Sequence, residues 1–197
     1  STGKPESQVE IPTMYSYFRV QSTELGFAEN AQEEPERVLV LTTNTGVREE
    51  EMAGHLHAWL LPTERAATAD APAATDLHWT DVAKVGAQLL TAASEVALQP
   101  IPGDQEAPTL HSFRVAAPTG RQLFVRLERG TPAFGGYLLA DPHEAILDVE
   151  PFPRLLEVMH DGAILSLGGE KKLSVRARGL QAVRIRLARI LPDDALR

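Results

Sequence analysis

Short runs in which apolar and polar residues alternate, separated by Gly or Pro, constrain the fold of this chain most strongly. Successive side chains of a β-strand point to opposite faces, so an alternating run offers one face to a core and one to solvent. In "HLHAWLLP", for example, Leu56, Ala58 and Leu60 share one side. Because such runs recur about every ten residues from "YSYFRVQS" to "EAILDVEP", the sequence predicts a mainly β protein, built as an antiparallel β-sandwich.

Two of these runs predict strands with different surroundings. "RVLVLTTN" is continuously apolar over residues 38–41, which is typical of a strand buried on both faces. "QLFVRLE" alternates instead, so its apolar side is predicted to face the core and its other side to be largely wet. The apolar side comprises Leu123, Val125 and Leu127, and the other side comprises Gln122, Phe124, Arg126 and Glu128.

One α-helix is predicted as an insertion, at about residues 80–94 in "TDVAKVGAQLLTAAS". Val82 and Val85 begin a repeat at helical spacing. Thr80 or Asp81 can accept a hydrogen bond from the free N–H groups of the first helical turn. The helix is therefore expected to decorate the sandwich between two of its strands.

The chain is predicted to have three parts. Residues 1–13 are polar and form a tail, and residues 14–150 form the sandwich with its helical insertion. Within the sandwich, the Ala-, Thr- and Pro-rich stretch 63–76 is predicted to be a surface loop. After Pro151 and Pro153, residues 151–197 hold only about three strands, and a piece this small rarely buries enough surface to be stable alone. We interpret it as the opening strands of a second, incomplete β-domain.

Composition excludes several kinds of site. The chain has no Cys, so it has no disulfide, no thiolate nucleophile and no cysteine-ligated zinc. It has no apolar run long enough for a membrane span, and "STGKPESQVEIP" lacks the layout of a signal peptide. On these grounds the protein is expected either to be cytosolic or to have lost a leader.

Charge is distributed unevenly along the chain. Residues 171–197 contain eight Lys or Arg and two Asp, a net +6, whereas residues 1–170 contain 11 basic and 25 acidic residues, a net −14. An acidic body repels nucleic acid and anionic lipid over most of its surface. Any contact made by the basic end is therefore expected to be local.

The basic stretch "KKLSVRARGLQAVRIRLARIL" predicts a β-hairpin that turns at Gly179. Its arginines alternate with apolar residues and so form one solvated face, and like charges across a hairpin repel unless acidic groups intervene. This face is expected to contact an acidic surface, and its candidate partner-contact residues are Arg176, Arg178, Arg184 and Arg186. The stretch has no aromatic residue for base stacking, so a nucleic-acid partner is not predicted.

Sites for catalysis or cofactors are not predicted. His55 and His57 form an H-x-H pair that strand geometry would place on one side, but a metal site normally needs a third protein ligand, and no other His has ligand-like spacing. The sequence has no G-x-S-x-G elbow, and its Gly pairs match neither a dinucleotide fingerprint nor a Walker motif. Asp148 and Glu150 share a strand side, but a glycosidase needs a cleft between its carboxyl groups. A metalloenzyme with its metal at the H-x-H pair is nonetheless kept as an alternative hypothesis for the function.

Aromatic residues on alternating strands could in principle stack against sugars. Singly placed aromatics of this kind are more often part of a core. The residues concerned are Trp59, Trp79, Phe113, Phe124 and Phe134.

Two segments resemble the bacterial α-macroglobulins, large cell-envelope relatives of the vertebrate protease-trapping proteins. The segments are "ERVLVLTTNTGVREEEMAGHLHAWLLP" and the stretch from "FGGYLLADPHEAILDVEPFPRLLEV" through "LSLGGEKKLSV" to "VRIRLARILP", in this order. The resemblance implies macroglobulin-like, fibronectin III-like sandwiches and a non-catalytic module near the start of a much longer periplasmic chain. It implies as partners the other domains of that chain and proteases or envelope proteins, with membrane contact only through an anchor outside this segment.

Some members of this family carry a Cys-x-x-Gln-type thioester, and the absence of Cys places no thioester in this segment. The resemblance therefore carries no functional residue over to a numbered position here. A different class of function is an independent β-sandwich that binds a glycan or an envelope protein. A second domain cut short would leave strand edges unpaired, so we expect either that these edges dock on the first sandwich or that they pair with another copy in a strand-exchanged oligomer.

Overall fold

Twelve β-strands, two short α-helices and one 3₁₀ turn make up the described part of the chain, which comprises residues 13–65, 73–159 and 174–186 of a computed structural model. The chain divides into two compact units, Ser1–Pro151 and Phe152–Arg197. The strands of the first unit are β1 (Val20–Glu29), β2 (Pro35–Thr43), β3 (Leu56–Leu60), β4 (Ser94–Glu95), β5 (Leu98–Ile101), β6 (Leu110–Val115), β7 (Gln122–Leu127), β8 (Pro132–Ala133), β9 (Tyr137–Leu138) and β10 (His143–Asp148).

Two four-stranded antiparallel sheets form the first unit. The first sheet has the strand order β1-β2-β6-β5, and the second has the order β10-β7-β3-β4. One hydrophobic cluster draws side chains from both sheets, including Leu39 and Phe113 from the first and Ala58 and Val125 from the second. This arrangement confirms the predicted mainly β, antiparallel sandwich.

Alternation correctly predicts the inward-facing residues of the second sheet. Leu56 is 4% exposed and Ala58 is fully buried, while His57 and Trp59 between and after them are half-buried. In β7, the side chains of Leu123, Val125 and Leu127 are all fully buried. Burial of this apolar area is the main favourable contribution to folding, at about 25 cal/mol for each Å² removed from water.

The prediction that the other face of β7 is largely wet is wrong at two positions. Gln122 is 7% exposed and Phe124 is completely buried, although both point away from the central core. Phe124 lies in a second hydrophobic cluster with Leu61, Val85 and Leu90. Residues inserted between β3 and β4 therefore cover this face of the sheet, which a strand pattern alone does not reveal.

The inserted region is less helical than its apolar spacing suggests. A 3₁₀ turn (Val82–Lys84) is followed by the short helix α2 (Ala87–Ala92), and Gly86 between them has an extended backbone. The carboxylate of Asp81 accepts a hydrogen bond from Ala83 N at 3.0 Å, as an N-cap does. The surface loop predicted at 63–76 lies partly outside the described residues, and at its described ends Arg65 and Ala74 exchange two backbone hydrogen bonds of 2.8 and 2.9 Å.

A further helix, α1 (Glu49–His55), precedes β3 and buries Met52 in the central core. Three glutamates in its first turn, Glu49, Glu50 and Glu51, face the positive end of the helix dipole, which favours a helix at this point. His55 ends the helix and is not part of β3. The two histidines of the H-x-H pair consequently belong to different elements.

The second unit contains two described strands, β11 (Leu155–Val158) and β12 (Val175–Arg178), which pair antiparallel. The hairpin predicted to turn at Gly179 is wrong within the described residues, because β12 pairs with β11 and residues 181–186 form no strand. The register gives the physical reason. It sets Arg176 opposite Glu157, whereas the predicted hairpin would have set arginines against arginines.

Candidate functional site

The four arginines predicted as a partner-contact face do not lie on one hairpin. Arg176 forms an ion pair with Glu157 at 3.0 Å, and Arg178 Nε donates to the carbonyl of Pro153 at 3.1 Å. Arg184 and Arg186 are exposed and lie outside any described strand, next to the exposed apolar side chains of Val183 and Ile185. The structure therefore brings Arg176 and Arg178 together on β12 and leaves Arg184 and Arg186 in the segment after the Gly179 turn.

The two histidines of the H-x-H pair have separate partners. His55 Nδ1 lies 2.7 Å from the carbonyl of Glu51, within its own helix. His57 lies between two carboxylates, 3.3 Å from Glu95 and 3.4 Å from Glu128. Within residues 13–65, 73–159 and 174–186, no group of three or more His, Asp or Glu side chains could hold a metal ion.

The outer face of the second sheet carries an ordered set of charged and aromatic groups. Arg126 pairs with Glu144 directly across the strands at 2.7 Å. Its guanidinium carbon lies 5.4 Å from the ring centre of Phe124 and 6.0 Å from that of Trp59, within range of a cation–π interaction. The Trp59 ring also stacks on the His57 ring at 5.7 Å. The Trp59 ring therefore already has contacts with neighbouring side chains of the same sheet face.

The other aromatic residues singled out from the sequence have different surroundings. Phe113 and Phe124 are 2% and 0% exposed and belong to the two cores. Phe134 is 69% exposed at the tip between β8 and β9. Trp79 is half-buried, and its Nε1 donates to the carbonyl of Pro62 at 2.9 Å. Trp79 lines a cavity at the end of the second sheet.

That cavity has a volume of about 310 Å³ and lies at one end of the second sheet. It forms at Leu61 and Pro62, which directly follow β3, at Gln122, where β7 begins, and at Asp148, where β10 ends. Antiparallel neighbours place these three points at the same edge, since the start of β7 meets the ends of both partners. Residues 77–79 of the insertion complete the wall.

Gln122 organises the polar side of this cavity. Its Oε1 accepts from Trp79 N at 2.6 Å, and its Nε2 donates to Trp79 O at 3.0 Å and to Asp148 Oδ1 at 2.9 Å. His78 Nε2 lies 3.4 Å from the same carboxylate oxygen. A buried amide that satisfies both of its ends fixes the positions of its partners. Gln122 thus holds the insertion and the end of β10 in one arrangement.

Two arginines donate hydrogen bonds to residues of the cavity wall. Arg121 donates to the carbonyl of Leu61 at 2.8 Å, and its Nε is buried without a hydrogen-bond partner among the described residues. Arg37 is 9% exposed and donates to Thr119 Oγ1 at 2.6 Å and to the carbonyl of Glu150 at 2.8 Å. Burial lowers the pKa of the Arg37 guanidinium, which nonetheless remains charged at neutral pH.

Two other titratable groups lie near the core, the buried His111 and the half-buried His143. His111 is 3% exposed on the inner side of β6, and burial lowers its pKa, against smaller raising effects of the Pro108 backbone and Glu49. His143 Nε2 lies 2.8 Å from Thr23 Oγ1 and so links β10 of the second sheet to β1 of the first. Burial also lowers the pKa of His143, partly offset by Glu144.

The cavity could be foreseen only in part from the sequence. Asp148 and Glu150 were recognised as sharing a strand side, and both line the cavity. No local sequence pattern identifies Gln122, His78 and Arg121 as site residues, because they are brought together by a contact between Gln122 and Trp79, which are 43 residues apart. No described helix is long and apolar enough to cross a membrane.

The fold defines the first unit as a two-sheet antiparallel β-sandwich. Comparison with known proteins finds similarity to segments of longer chains. The chain is 29% identical over 94% of its length to an "Alpha-2-macroglobulin homolog" of Yersinia pestis, and 26% identical over 94% to an "Alpha-2-macroglobulin" of Rickettsia conorii. It is 27% identical over 95% to an "Alpha-2-macroglobulin" of Pasteurella multocida. The chain spans about a tenth of the length of these relatives, with 9%, 10% and 9% covered.

These three similarities support an alpha-2-macroglobulin-like family for the chain and confirm the resemblance read from its sequence. The chain aligns along 94–95% of its length with a segment of each of these relatives. No protein-family model and no solved structure matches it.

Proposed function

We propose that the chain is a non-catalytic structural and interaction module of a bacterial cell-envelope α-macroglobulin that traps proteases. The observation that carries this proposal is the similarity to three alpha-2-macroglobulin homologues along 94–95% of the chain. A two-sheet sandwich with a central hydrophobic core suits this role, because such a core is rigid and leaves the outer face of the first sheet, and the insertion that covers part of the second, for contacts with neighbours.

The partners and location belong to the same proposal. The module contacts other domains of its own long chain, and through them proteases or envelope proteins, in the periplasm. Any attachment to a membrane is made by an anchor outside this segment. Fractionation of cells that express the intact parent should recover it with periplasmic markers, and recovery with cytosolic markers would contradict the location.

The partner-contact face is proposed to centre on Arg184 and Arg186. Both side chains are exposed, and two exposed apolar side chains, Val183 and Ile185, lie between and beside them. Exposed arginines next to apolar groups are typical of residues that contribute to interfaces. Arg176 already has Glu157 opposite it, so its contribution is expected to be smaller.

The test uses the intact parent protein. It is incubated with a protease, and the remaining cleavage of a protein substrate and of a small peptide is measured. Trapping predicts that protein cleavage is lost while peptide cleavage persists, because a trapped protease stays active but enclosed. Unchanged cleavage of both substrates, with no change in the parent's hydrodynamic radius, would overturn the proposed function.

The contact face is tested with the same assay. Arg184→Glu with Arg186→Glu should weaken trapping, and the matched control Arg129→Glu, at an exposed arginine of the first unit, should not. Normal trapping by the double variant would remove these arginines from the contact face while leaving the family role intact.

A further inference from the structure

The cavity at the end of the second sheet is built like a binding site for a small ligand. Its volume of about 310 Å³ falls at the lower end of the range of about 300–1,000 Å³ usual for ligand sites. Its apolar wall includes Leu77 and Trp79, and its polar groups come from the start of β7, from the end of β10 and from the insertion. A mainly apolar pocket with a few fixed polar groups is the usual form of such a site.

The polar groups at its mouth are held in place before any ligand arrives. The Gln122 amide fixes Asp148 through a 2.9 Å hydrogen bond and fixes residue 79 through both of its ends. Arg37 holds Thr119 and the Glu150 backbone. Because these contacts are already made, ordering the site upon binding would cost little free energy.

Hydrogen-bonding capacity is left over on the same groups. Within the described part of the chain, Asp148 makes its contacts through Oδ1 and His78 makes its contacts through Nε2, which leaves Oδ2 and Nδ1 available. The Glu150 carboxylate is exposed at the rim. Arg121 also lines the cavity, and its guanidinium carries five N–H donors, one of which is held by the Leu61 carbonyl through Nη2. The site thus offers both acceptors and donors within one small volume.

The combination of carboxylates and a guanidinium in one cavity indicates which class of ligand can bind there. An anion would meet the carboxylates of Asp148 and Glu150, and a cation would meet the guanidinium of Arg121. A neutral group that both donates and accepts avoids either repulsion, and a hydroxyl does both. The apolar ring faces of a sugar also fit beside an indole. We propose that this cavity binds one ring of a neutral saccharide, either as a free sugar or as a unit of a glycan chain.

Tryptophan fluorescence can test this directly, because the chain has only two tryptophans. Trp59 is removed as Trp59→Phe, so that Trp79 alone reports on the cavity. The 197-residue protein is titrated with glucose, galactose, mannose and N-acetylglucosamine, and with maltotetraose and chitotetraose. A saturable change with at least one of them is expected, and no saturable change with any of them would overturn the proposal.

The same titrations distinguish the two sources of the ligand. A tetrasaccharide that binds more tightly than its monomer indicates a glycan chain, and equal affinities indicate a free sugar. Both results support a saccharide site. Either result is independent of protease trapping by the parent protein, so the two proposals fail separately.

A substitution at the rim locates the site. Asp148→Asn keeps the size of the side chain and its Oδ1 contact but removes the charge, and it should weaken binding about tenfold or more, as expected for a hydrogen bond to a charged group. The control is Asp141→Asn, an exposed aspartate that does not line this cavity. Unchanged affinity in Asp148→Asn would place the sugar elsewhere and overturn the proposal.

Glu150→Gln serves as a second rim variant if Asp148→Asn unfolds. Thermal unfolding is measured for every variant, so that loss of binding is attributed to the site only where the protein is folded. Unchanged affinity in Glu150→Gln, with Asp148→Asn unfolded, would also count against the cavity.

Discussion

The two sheets of the sandwich share one core, but their outer faces differ in exposure to solvent. On the first sheet, the outer face of β6 carries Ser112 and the exposed Arg114, and it meets solvent directly. On the second, Phe124 at the outer face of β7 is fully buried under residues of the insertion. An insertion can therefore add a second core to a sandwich without altering the alternation of the strand that it covers.

The largest expected effect comes from truncating the covered aromatic. Phe124→Ala should lower the free energy of unfolding by about 3–5 kcal/mol, as much as a residue of the central core, because it leaves a cavity under the insertion. Leu123→Ala, on the inner face of the same strand, should cost about 2–5 kcal/mol. Urea denaturation measures both.

Ser112→Ala is the matched control on the uncovered sheet, and it should change stability by no more than about 0.5 kcal/mol. A cost for Phe124→Ala as small as this would show that the insertion does not pack firmly on the second sheet. The contrast between the two outer faces would then be lost.

Acid should destabilise the inner side of the sandwich. Burial lowers the pKa of His111 and of His143 in the folded state, so the unfolded chain binds protons more readily. Stability is then full above the unfolded pKa of about 6.5 and falls as the pH drops below it, by at most about 1.4 kcal/mol per pH unit for each group. Urea titrations from neutral to mildly acidic pH measure this slope.

The two histidines can be separated by substitution. His111→Leu should remove one part of the slope and His143→Gln the other, and the double variant should be flatter than either. A wild-type slope that survives in the double variant would assign the acid sensitivity to carboxylates and not to these histidines.

Two arginine–glutamate pairs give the smallest and most direct comparison of the outer faces. Arg114–Glu36 on the first sheet is separated by 2.8 Å, with side chains 48% and 35% exposed. Arg126–Glu144 on the second is separated by 2.7 Å, with side chains 30% and 23% exposed. Exposed pairs typically contribute about 0.2–1 kcal/mol, and less solvent screens the second pair.

Double-mutant cycles to Gln at both positions of each pair measure the coupling energies. The coupling of Arg126 with Glu144 should exceed that of Arg114 with Glu36. Equal couplings would show that the insertion does not change the electrostatic environment of the sheet that it covers.

The sequence predicts those features of the fold that depend on residues close together along the chain, such as which side chains of a strand face the core. Leu123, Val125 and Leu127 were assigned to the core because strand geometry alone decides which side they share. The burial of Phe124 depends on Leu90, and the orientation of Gln122 depends on Trp79, which are contacts between distant parts of the chain. The alternation of apolar and polar residues along one strand does not predict contacts between residues that are distant in sequence.

The same limit explains the pairing of the second unit. A hairpin around Gly179 was the nearest pairing for the strand at Val175–Arg178, but the structure pairs this strand with Leu155–Val158. Arg176 gains Glu157 as its opposite neighbour in this register. Of the proposed cavity, the pattern identified Asp148 and Glu150 as one side of a strand, and only the fold brought Arg121 and His78 to them.

The paired hydrogen bonds between Arg65 and Ala74 have a practical consequence. They bring the chain back to one point, so that extra length placed between them need not strain the sheets on either side. The loop-closure entropy of doubling such a segment is only about 0.6 kcal/mol. This position is therefore suited to grafting an epitope or a fluorescent tag into the intact parent, where it would follow the protein in cells.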